Sequence, residues 1–209
     1  TEQVEVLGSA QQYHFRNKLE FTFSPNRWLT PEELADESIV KPQAGLGFHL
    51  PGRFDKVLHV DQCLLMDDRM NLIRNHLHQL AEMHGLSRYN IREHHGFLRT
   101  LTMRHTSLDQ WMVLLMVGED QAENLELVLS SLAEKFPWIN SLLYVINTKK
   151  NDTLYDQEVL VWRGSAVIEE QLEDTLAQLE LDLKDLEAAK DAYELEQIRN
   201  EYTLETERT

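Results

Sequence analysis

The chain has almost no cysteine, and Cys63 is the only one in its 209 residues. A single thiol excludes an intrachain disulfide framework and fits a reducing cytoplasm, where we expect the protein. No apolar run approaches the roughly 20 residues that a membrane helix needs. No signal-peptide pattern opens the chain either, so we expect no membrane partner. The first residue is Thr rather than Met, which is consistent with a piece of something longer.

Familiar catalytic motifs are also missing: there is no G-x-S-x-G, P-loop, G-x-G-x-x-G, H-E-x-x-H or C-x-x-C. The nine histidines invite a metal interpretation. However, His76 and His78 are two apart on a predicted helix and point to different faces. His94 and His95 are adjacent in a loop, without a cysteine or acidic cluster at ligand spacing. Cys63 has no activating base marked nearby and is by default a small core residue. We therefore expect no catalytic residue.

The net charge of −16 argues against wholesale nucleic-acid binding, but the charge is unevenly distributed. From Val167 to the C-terminus there are 14 acidic and 4 basic residues, a net charge of −10. Residues 1–166 carry a net charge of only −6. A local basic face therefore remains compatible with the composition of the body. We predict two domains, a body over residues 1–166 and an acidic extension over residues 167–209.

The first half of the body combines aromatic and basic residues. In HFRNKLEFTF, apolar and polar residues alternate, which predicts a half-buried strand with Arg16 and Lys18 at its entry. Arg53 and Lys56 lie beside the Pro51–Gly52 turn, between two further predicted strands. Basic groups at strand ends and turns suit a polyanion surface. Any soluble hairpin also carries some Lys and Arg, and the pattern alone favours that ordinary explanation.

The second half of the body, from Leu98 to Trp162, predicts the order strand–strand–helix–strand–strand. The segment WMVLLMVG is nearly all apolar, so we expect a central strand covered on both faces. Together with helices predicted after Thr30 and after Asp67 or Asp68, the pattern indicates an α+β fold. We expect its sheets to be largely antiparallel and covered by helices.

The acidic extension has neither Gly nor Pro after Gly164. Its leucines keep a 4-3 spacing, which predicts one long amphipathic helix with a narrow apolar seam. The seam begins with Leu172, Leu176, Leu179, Leu183 and Leu186. The helix could pack on its own domain or form a coiled coil with a second copy. We favour the homodimer, because the other faces are heavily charged.

Four blocks in series carry a resemblance to a known family: YHFRNKLEFTFS, GLGFHLPGRFDKVLHVDQCLL, GFLRTLTMR and SLLYVINTKKNDT. Together they resemble the central domain of bacterial RNA uracil-5-methyltransferases, especially the group that acts on 23S ribosomal RNA. The resemblance covers roughly residues 4 to 170. It implies an enzyme with an N-terminal oligonucleotide-binding barrel, a Cys-rich segment, this domain and a C-terminal domain. The last domain binds S-adenosylmethionine and supplies the catalytic cysteine.

The resemblance also suggests site residues. Arg16 and Lys18 match basic positions that would place the RNA backbone, as cations at strand ends do. Further RNA-binding candidates with less support are Arg53, Lys56, Arg99, Arg104, Lys149 and Lys150. Cys63 aligns with a cysteine that, in cluster-containing relatives, completes a [4Fe-4S] site. Such a site needs four thiolates, so Cys63 is a ligand only if a parent protein supplies cysteines upstream.

Two hypotheses follow from these observations. In the first, the chain is the central RNA-binding domain of an S-adenosylmethionine-dependent enzyme acting on ribosomal RNA. Its catalytic domain would begin after Glu170, where the acidic helix stands instead, so the chain alone is expected to be inactive. In the second, the chain is a non-catalytic interaction protein that dimerises through its C-terminal helix. Neither hypothesis involves DNA.

Overall fold

The computed structural model describes residues 12–171 and Lys184. The strands are β1 (Lys18–Ser24), β2 (Gly45–Leu50), β3 (Arg53–His59), β4 (Leu98–His105), β5 (Trp111–Val117), β6 (Ser141–Ile146) and β7 (Leu160–Gly164). The helices are α1 (Pro31–Ala35), α2 (Arg69–Met83) and α3 (Ala122–Lys135). No helix in this described part is long and apolar enough to cross a membrane.

All seven strands form one sheet in the order β3-β2-β1-β4-β5-β6-β7. Neighbouring strands are antiparallel except for β5 and β6, which are parallel. A parallel pair needs a crossover connection, and α3 supplies it. The predicted α+β class with a largely antiparallel sheet is confirmed, including the element order from β4 to β7.

Helices α2 and α3 and one face of the sheet enclose the hydrophobic core. On β1, Leu19, Phe21 and Phe23 are buried. Lys18, before the first of them, and Glu20, between the first two, are exposed. The alternation arises because successive side chains of a strand point to opposite faces. Each buried Phe contributes about 2–3 kcal/mol of transfer free energy. Because the buried residues must face the core, Lys18 and Glu20 must lie on the opposite face of the sheet.

The prediction that β5 is covered on both faces is only partly correct. Val113 and Leu115 are fully buried, but Met112 and Leu114 on the opposite face remain partly exposed. The reason is that α2 and α3 both pack on the core side. The apolar run WMVLLMVG therefore predicted more coverage of β5 than the structure has. The sheet has one partly open face, which we call the open face.

The predicted C-terminal helix lies outside the described residues, apart from residues 167–171 and Lys184. Residues 167–171 are not helical, so the helix does not begin at Val167 as predicted. All the strands and helices named above belong to a compact unit that ends at Glu169. The boundary between body and extension stays a prediction.

Candidate nucleic-acid interface

The open face carries polar side chains where β1 pairs with β4. The register places Lys18 opposite Arg104, Glu20 opposite Thr102, and Thr22 opposite Thr100. Residues directly opposite in an antiparallel pair share one face of the sheet. Two predicted RNA-binding residues, separated by most of the first half of the chain, are therefore neighbours.

Lys18 and Arg104 form a like-charge pair at the end of this face, and both are exposed. Within residues 12–171, neither has a carboxylate oxygen within 4.0 Å; Glu20 instead accepts a hydrogen bond from Thr102 Oγ1 at 3.3 Å. Like charges directly opposite destabilise a sheet. A bound phosphate would remove that repulsion.

Arg16 joins the same end of the sheet. Its backbone N–H donates to the carbonyl of Leu65 at 2.8 Å, and its own carbonyl is 3.2 Å from Nε2 of His105, the residue after Arg104. These contacts hold the segment before β1 beside the end of β4. Arg16, Lys18 and Arg104 therefore make one basic cluster, which we call the basic end.

Arg53 and Lys56 lie elsewhere, at the hairpin between β2 and β3. Their cationic groups are each 5.8 Å from the ring centroid of Trp28, a distance at which cation–π attraction operates. Arg53 is exposed and Lys56 is half-buried. The hairpin thus presents a second basic group, on the other side of β1 from β4.

Arg99 is placed differently from the other candidates, because its side chain is buried, with 2% exposed. Its guanidinium donates to the carbonyl oxygens of Asn147, Lys149 and Asn151 at 2.6–2.9 Å. It also pairs with Asp152 at 2.6 Å and lies 4.0 Å from the ring centroid of Tyr89. Its RNA contact stays a prediction, but the structure gives it an internal role: it holds the loop after β6.

The other two candidates lie on that same loop. Lys149 forms an ion pair with Asp156. Lys150 is exposed and has no ion pair with any carboxylate of the described residues. The structure therefore brings together Arg16, Lys18 and Arg104, and leaves Lys149 and Lys150 as a separate exposed group.

Cys63 is buried, with 5% exposed. Its backbone N–H donates to Oδ1 of Asn71 at 2.9 Å, and its carbonyl accepts from Nδ2 of Asn71 at 3.0 Å. A [4Fe-4S] cluster needs four thiolates, and this chain has one, so the residues present do not fit that group. The described residues also contain no group of three or more His, Cys, Asp or Glu that could hold a metal ion.

The turn after β5 is where a strand–helix crossover could bind a nucleotide-like ligand. In this structure, protein atoms pack closely around Gly118 in the turn. A Cβ on Gly118 would lie 2.5 Å from the carbonyl oxygen of Gly96 and 2.7 Å from the Tyr89 ring. Glu119 Oε1 also accepts from the Gly96 N–H at 2.6 Å. Gly118 is therefore packed closely against Gly96 and Tyr89.

Phe54 and Arg92 lie together on the surface, and neither was among the site residues predicted from the sequence. Phe54 is 59% exposed at the start of β3, and the Arg92 guanidinium lies 5.3 Å from its ring centroid. The signal for Phe54 was present, since an aromatic residue follows Arg53 directly after a Pro-Gly turn. Arg92 could not be found in this way, because 37 residues separate it from its partner Asp55.

The fold and the basic end together define an α+β module with a cluster of exposed cations at one end of its sheet. In a structural comparison, the fold is similar to part of the Pyrococcus abyssi tRNA (uracil-54, C5)-methyltransferase solved with S-adenosyl-L-homocysteine. The TM-score is 0.55 and the sequence identity 22%, over 81% of this chain and 36% of that chain. At this identity, the likeness shows the fold.

Sequence comparison finds bacterial relatives that are named uncharacterized RNA methyltransferases. The chain is 42% identical to one from Porphyromonas gingivalis over 94% of its length, and 42% identical to one from Bacteroides thetaiotaomicron over 80%. It is 33% identical to a third, from Chlorobaculum tepidum, over 81%. The chain spans 43%, 38% and 36% of these proteins, respectively. No protein-family model matches. The relatives support the resemblance to RNA methyltransferases.

Proposed function

We propose that this chain is the central, RNA-contacting part of an RNA (uracil-C5)-methyltransferase. The observation that carries the proposal is the Lys18–Arg104 pair, two exposed cations that share one point of the open face without a described carboxylate partner. The similarity to RNA methyltransferases over 94% of the chain supports the same conclusion. In this role the chain positions RNA through its backbone, and bases are read elsewhere.

Each residue of the basic end has a defined part in this proposal. Lys18 and Arg104 bind one phosphate between β1 and β4, and Arg16 binds the next one along. The cations of the hairpin and of the loop after β6 extend the phosphate track: Arg53, Lys56, Lys149 and Lys150. Such contacts supply affinity with a strong dependence on salt and little dependence on sequence.

The whole enzyme, on this proposal, methylates C5 of a uracil in 23S ribosomal RNA, in the cytoplasm, with S-adenosylmethionine as methyl donor. Cys63 is one thiolate where a [4Fe-4S] cluster needs four, so the proposal assigns any such cluster, like the methyl donor, to other parts of the enzyme. The described chain is then a docking surface. We expect no methyl transfer from labelled S-adenosylmethionine by this chain alone.

RNA affinity measured against salt concentration tests the proposal. We expect binding at low salt, with a slope of log K on log[salt] that falls by about 0.7 for each phosphate-binding cation removed. Lys18→Ala and Arg104→Ala should each lower the slope. Lys41→Ala is the matched control, because Lys41 is an exposed lysine whose Nζ donates to the backbone carbonyls of Leu34 and Asp36. No binding at low salt would contradict the proposal.

A second candidate function rests on the sequence of the extension. The leucine seam from Leu172 to Leu186 favours a non-catalytic interaction protein that forms a homodimer through residues 167–209. Sedimentation over a wide concentration range tests this. A dimer that binds no RNA would favour this second function, and a monomer at high concentration would contradict it.

A further inference from the structure

A shallow groove of about 400 Å³ lies beside the β2–β3 hairpin and shares Arg53 with the phosphate track proposed above. Its lining residues are His49, Leu50, Gly52, Arg53, Phe54 and Ile91. A neighbouring depression shares His49, Phe54 and Ile91 and continues to Thr22 and Thr100 on the open face. The groove therefore leads from the hairpin onto the face that carries the basic end.

Phe54 is the main apolar surface of this groove. Phe54 is 59% exposed, although it is the second residue of β3, in which Val57 is fully buried. Arg92 lies against the ring at 5.3 Å from its centroid, and two contacts to Asp55, at 2.9 and 3.0 Å, hold the guanidinium there. An aromatic ring beside an anchored guanidinium is a ready-made stacking surface.

No carboxylate is among the groove's lining residues named above, and the two that line the neighbouring depression, Asp55 and Asp152, are each paired with an arginine. Asp55 pairs with Arg92, and the same hydrogen bonds hold the pKa of Asp55 below its usual range. Asp152, in the neighbouring depression, pairs with Arg99 at 2.6 Å. With both carboxylates paired, Arg53 leaves the groove with a positive charge. An anionic ligand is therefore electrostatically complementary to it.

The geometry points to a binding site for unpaired RNA nucleotides, in which a base stacks on Phe54 beside Arg92. The adjoining phosphate lies at Arg53, and the strand continues along β1 toward Lys18. The four residue steps from Thr22 to Lys18 cover roughly 13 Å along β1. Bases in a duplex are already stacked on each other, so this site selects single-stranded RNA. The inference rests on the proposed RNA-contacting function and adds to it the form of RNA that is bound.

The choice of RNA over a protein partner follows from the same residues. A protein partner would need an extended apolar patch, but beyond Phe54 the apolar lining of the groove consists of Leu50 and Ile91. Arg53 lines the same groove and Arg92 lies against the Phe54 ring. A nucleobase needs only the π-face and a nearby cation. The groove provides both.

Fluorescence anisotropy with the full chain tests the inference, using three labelled probes. These are a single-stranded oligouridylate of about ten nucleotides, the same strand in a duplex, and an abasic ribose-phosphate strand of equal length. The variants are Phe54→Leu, which removes the π-face, and Phe54→Tyr, which keeps it. Leu58→Ala is the matched control, because Leu58 is an exposed residue of the same strand that does not line the groove.

We expect the parent chain to prefer the single strand to the duplex. Phe54→Leu should weaken binding of the oligouridylate by about tenfold and leave binding of the abasic strand unchanged. Phe54→Tyr and Leu58→Ala should bind like the parent.

Three results would overturn the inference: Phe54→Leu binding the single strand as tightly as the parent, an equal loss on the abasic strand, or no preference for single over double strand. With any of these, a salt slope that still depends on Lys18 and Arg104 would leave the proposed function standing. Absence of all RNA binding by the parent would overturn both.

Discussion

Lys18 and Arg104 face each other across β1 and β4, so that two positive charges meet at one point of the open face. Natural sheets usually place opposite charges at such positions, because like charges directly opposite are destabilising. The pair is therefore retained at a cost to stability. The proposed phosphate ligand would offset that cost, so substitutions in the pair should change RNA binding and folding stability in different directions.

Lys18→Glu should stabilise the protein and weaken RNA binding at the same time. The new carboxylate would face Arg104, so we expect the free energy of unfolding to rise by about 0.5 kcal/mol. RNA affinity should fall, together with the salt slope. Urea denaturation and anisotropy measure the two effects. Lys41→Glu, with the same change of charge away from the sheet face, should leave the salt slope as it is.

Arg99→Met should have the opposite combination of effects. Removing the guanidinium leaves the carbonyl oxygens of Asn147, Lys149 and Asn151 without their donor, and leaves Asp152 unpaired. We expect the free energy of unfolding to fall by roughly 2–4 kcal/mol. The salt slope of RNA binding should stay unchanged in the folded variant. A lowered slope without lost stability would instead show that Arg99 contacts the RNA.

Arg104 and Arg99, both on β4, show how far the sequence could predict side-chain positions. Alternation in the strand from Leu98 to His105 places Arg104 on a polar face, and it does lie there. The same rule failed for Arg99, because the register with β5 shifts between Leu98 and Thr100. Such a bulge changes where a side chain points. As a result, Arg99 lines the same depression as Thr22 and Thr100.

The pairing of strands also could not be predicted from the sequence. Periodicity showed that Lys18 lies on the polar side of β1, but not which strand lies beside it, because pairing depends on contacts distant in sequence. The same holds for Phe54 and Arg92, which belong to separate segments. By contrast, local signals were sufficient for α1. Thr30 Oγ1 accepts from the Glu33 N–H at 3.2 Å, and Glu33 Oε2 accepts from the Thr30 N–H at 2.8 Å, which is a capping box at the start of the helix predicted after Thr30.

Gly118→Ala should destabilise the fold through a clash at the turn after β5. The added methyl group would lie 2.5 Å from the Gly96 carbonyl oxygen and 2.7 Å from the Tyr89 ring. We expect a loss of about 2 kcal/mol or more, as for other overpacked sites. Gly85→Ala is the control: its φ of +60° is strained for alanine, but nothing lies within 4 Å of the new Cβ. Its cost should be about 1 kcal/mol. Thermal denaturation that ranked the two variants in the reverse order would contradict the close packing of this turn.

His78 should make the stability of the fold depend on pH below neutrality. Its ring packs against that of His59, with centroids 4.4 Å apart and planes tilted by 40°, and burial, followed by the electrostatic effect of His59, lowers the pKa of His78 from its usual 6.5. The unfolded chain therefore binds a proton at a pH where the folded chain does not. The contribution of His78 is complete above about pH 6.5 and is lost as the pH falls below it. The slope from this one group is at most about 1.4 kcal/mol per pH unit.

Urea denaturation of the parent chain and of His78→Gln, measured from pH 7.5 down to pH 5 (about the range in which histidine titrates), checks this expectation. The variant should show a flatter dependence of the free energy of unfolding on pH. His49→Gln is the matched control, because His49 is an exposed histidine on β2. It should keep the slope of the parent. Equal slopes for the parent and His78→Gln would show that His78 takes up its proton without loss of folding free energy, and that the His59–His78 contact tolerates the charge.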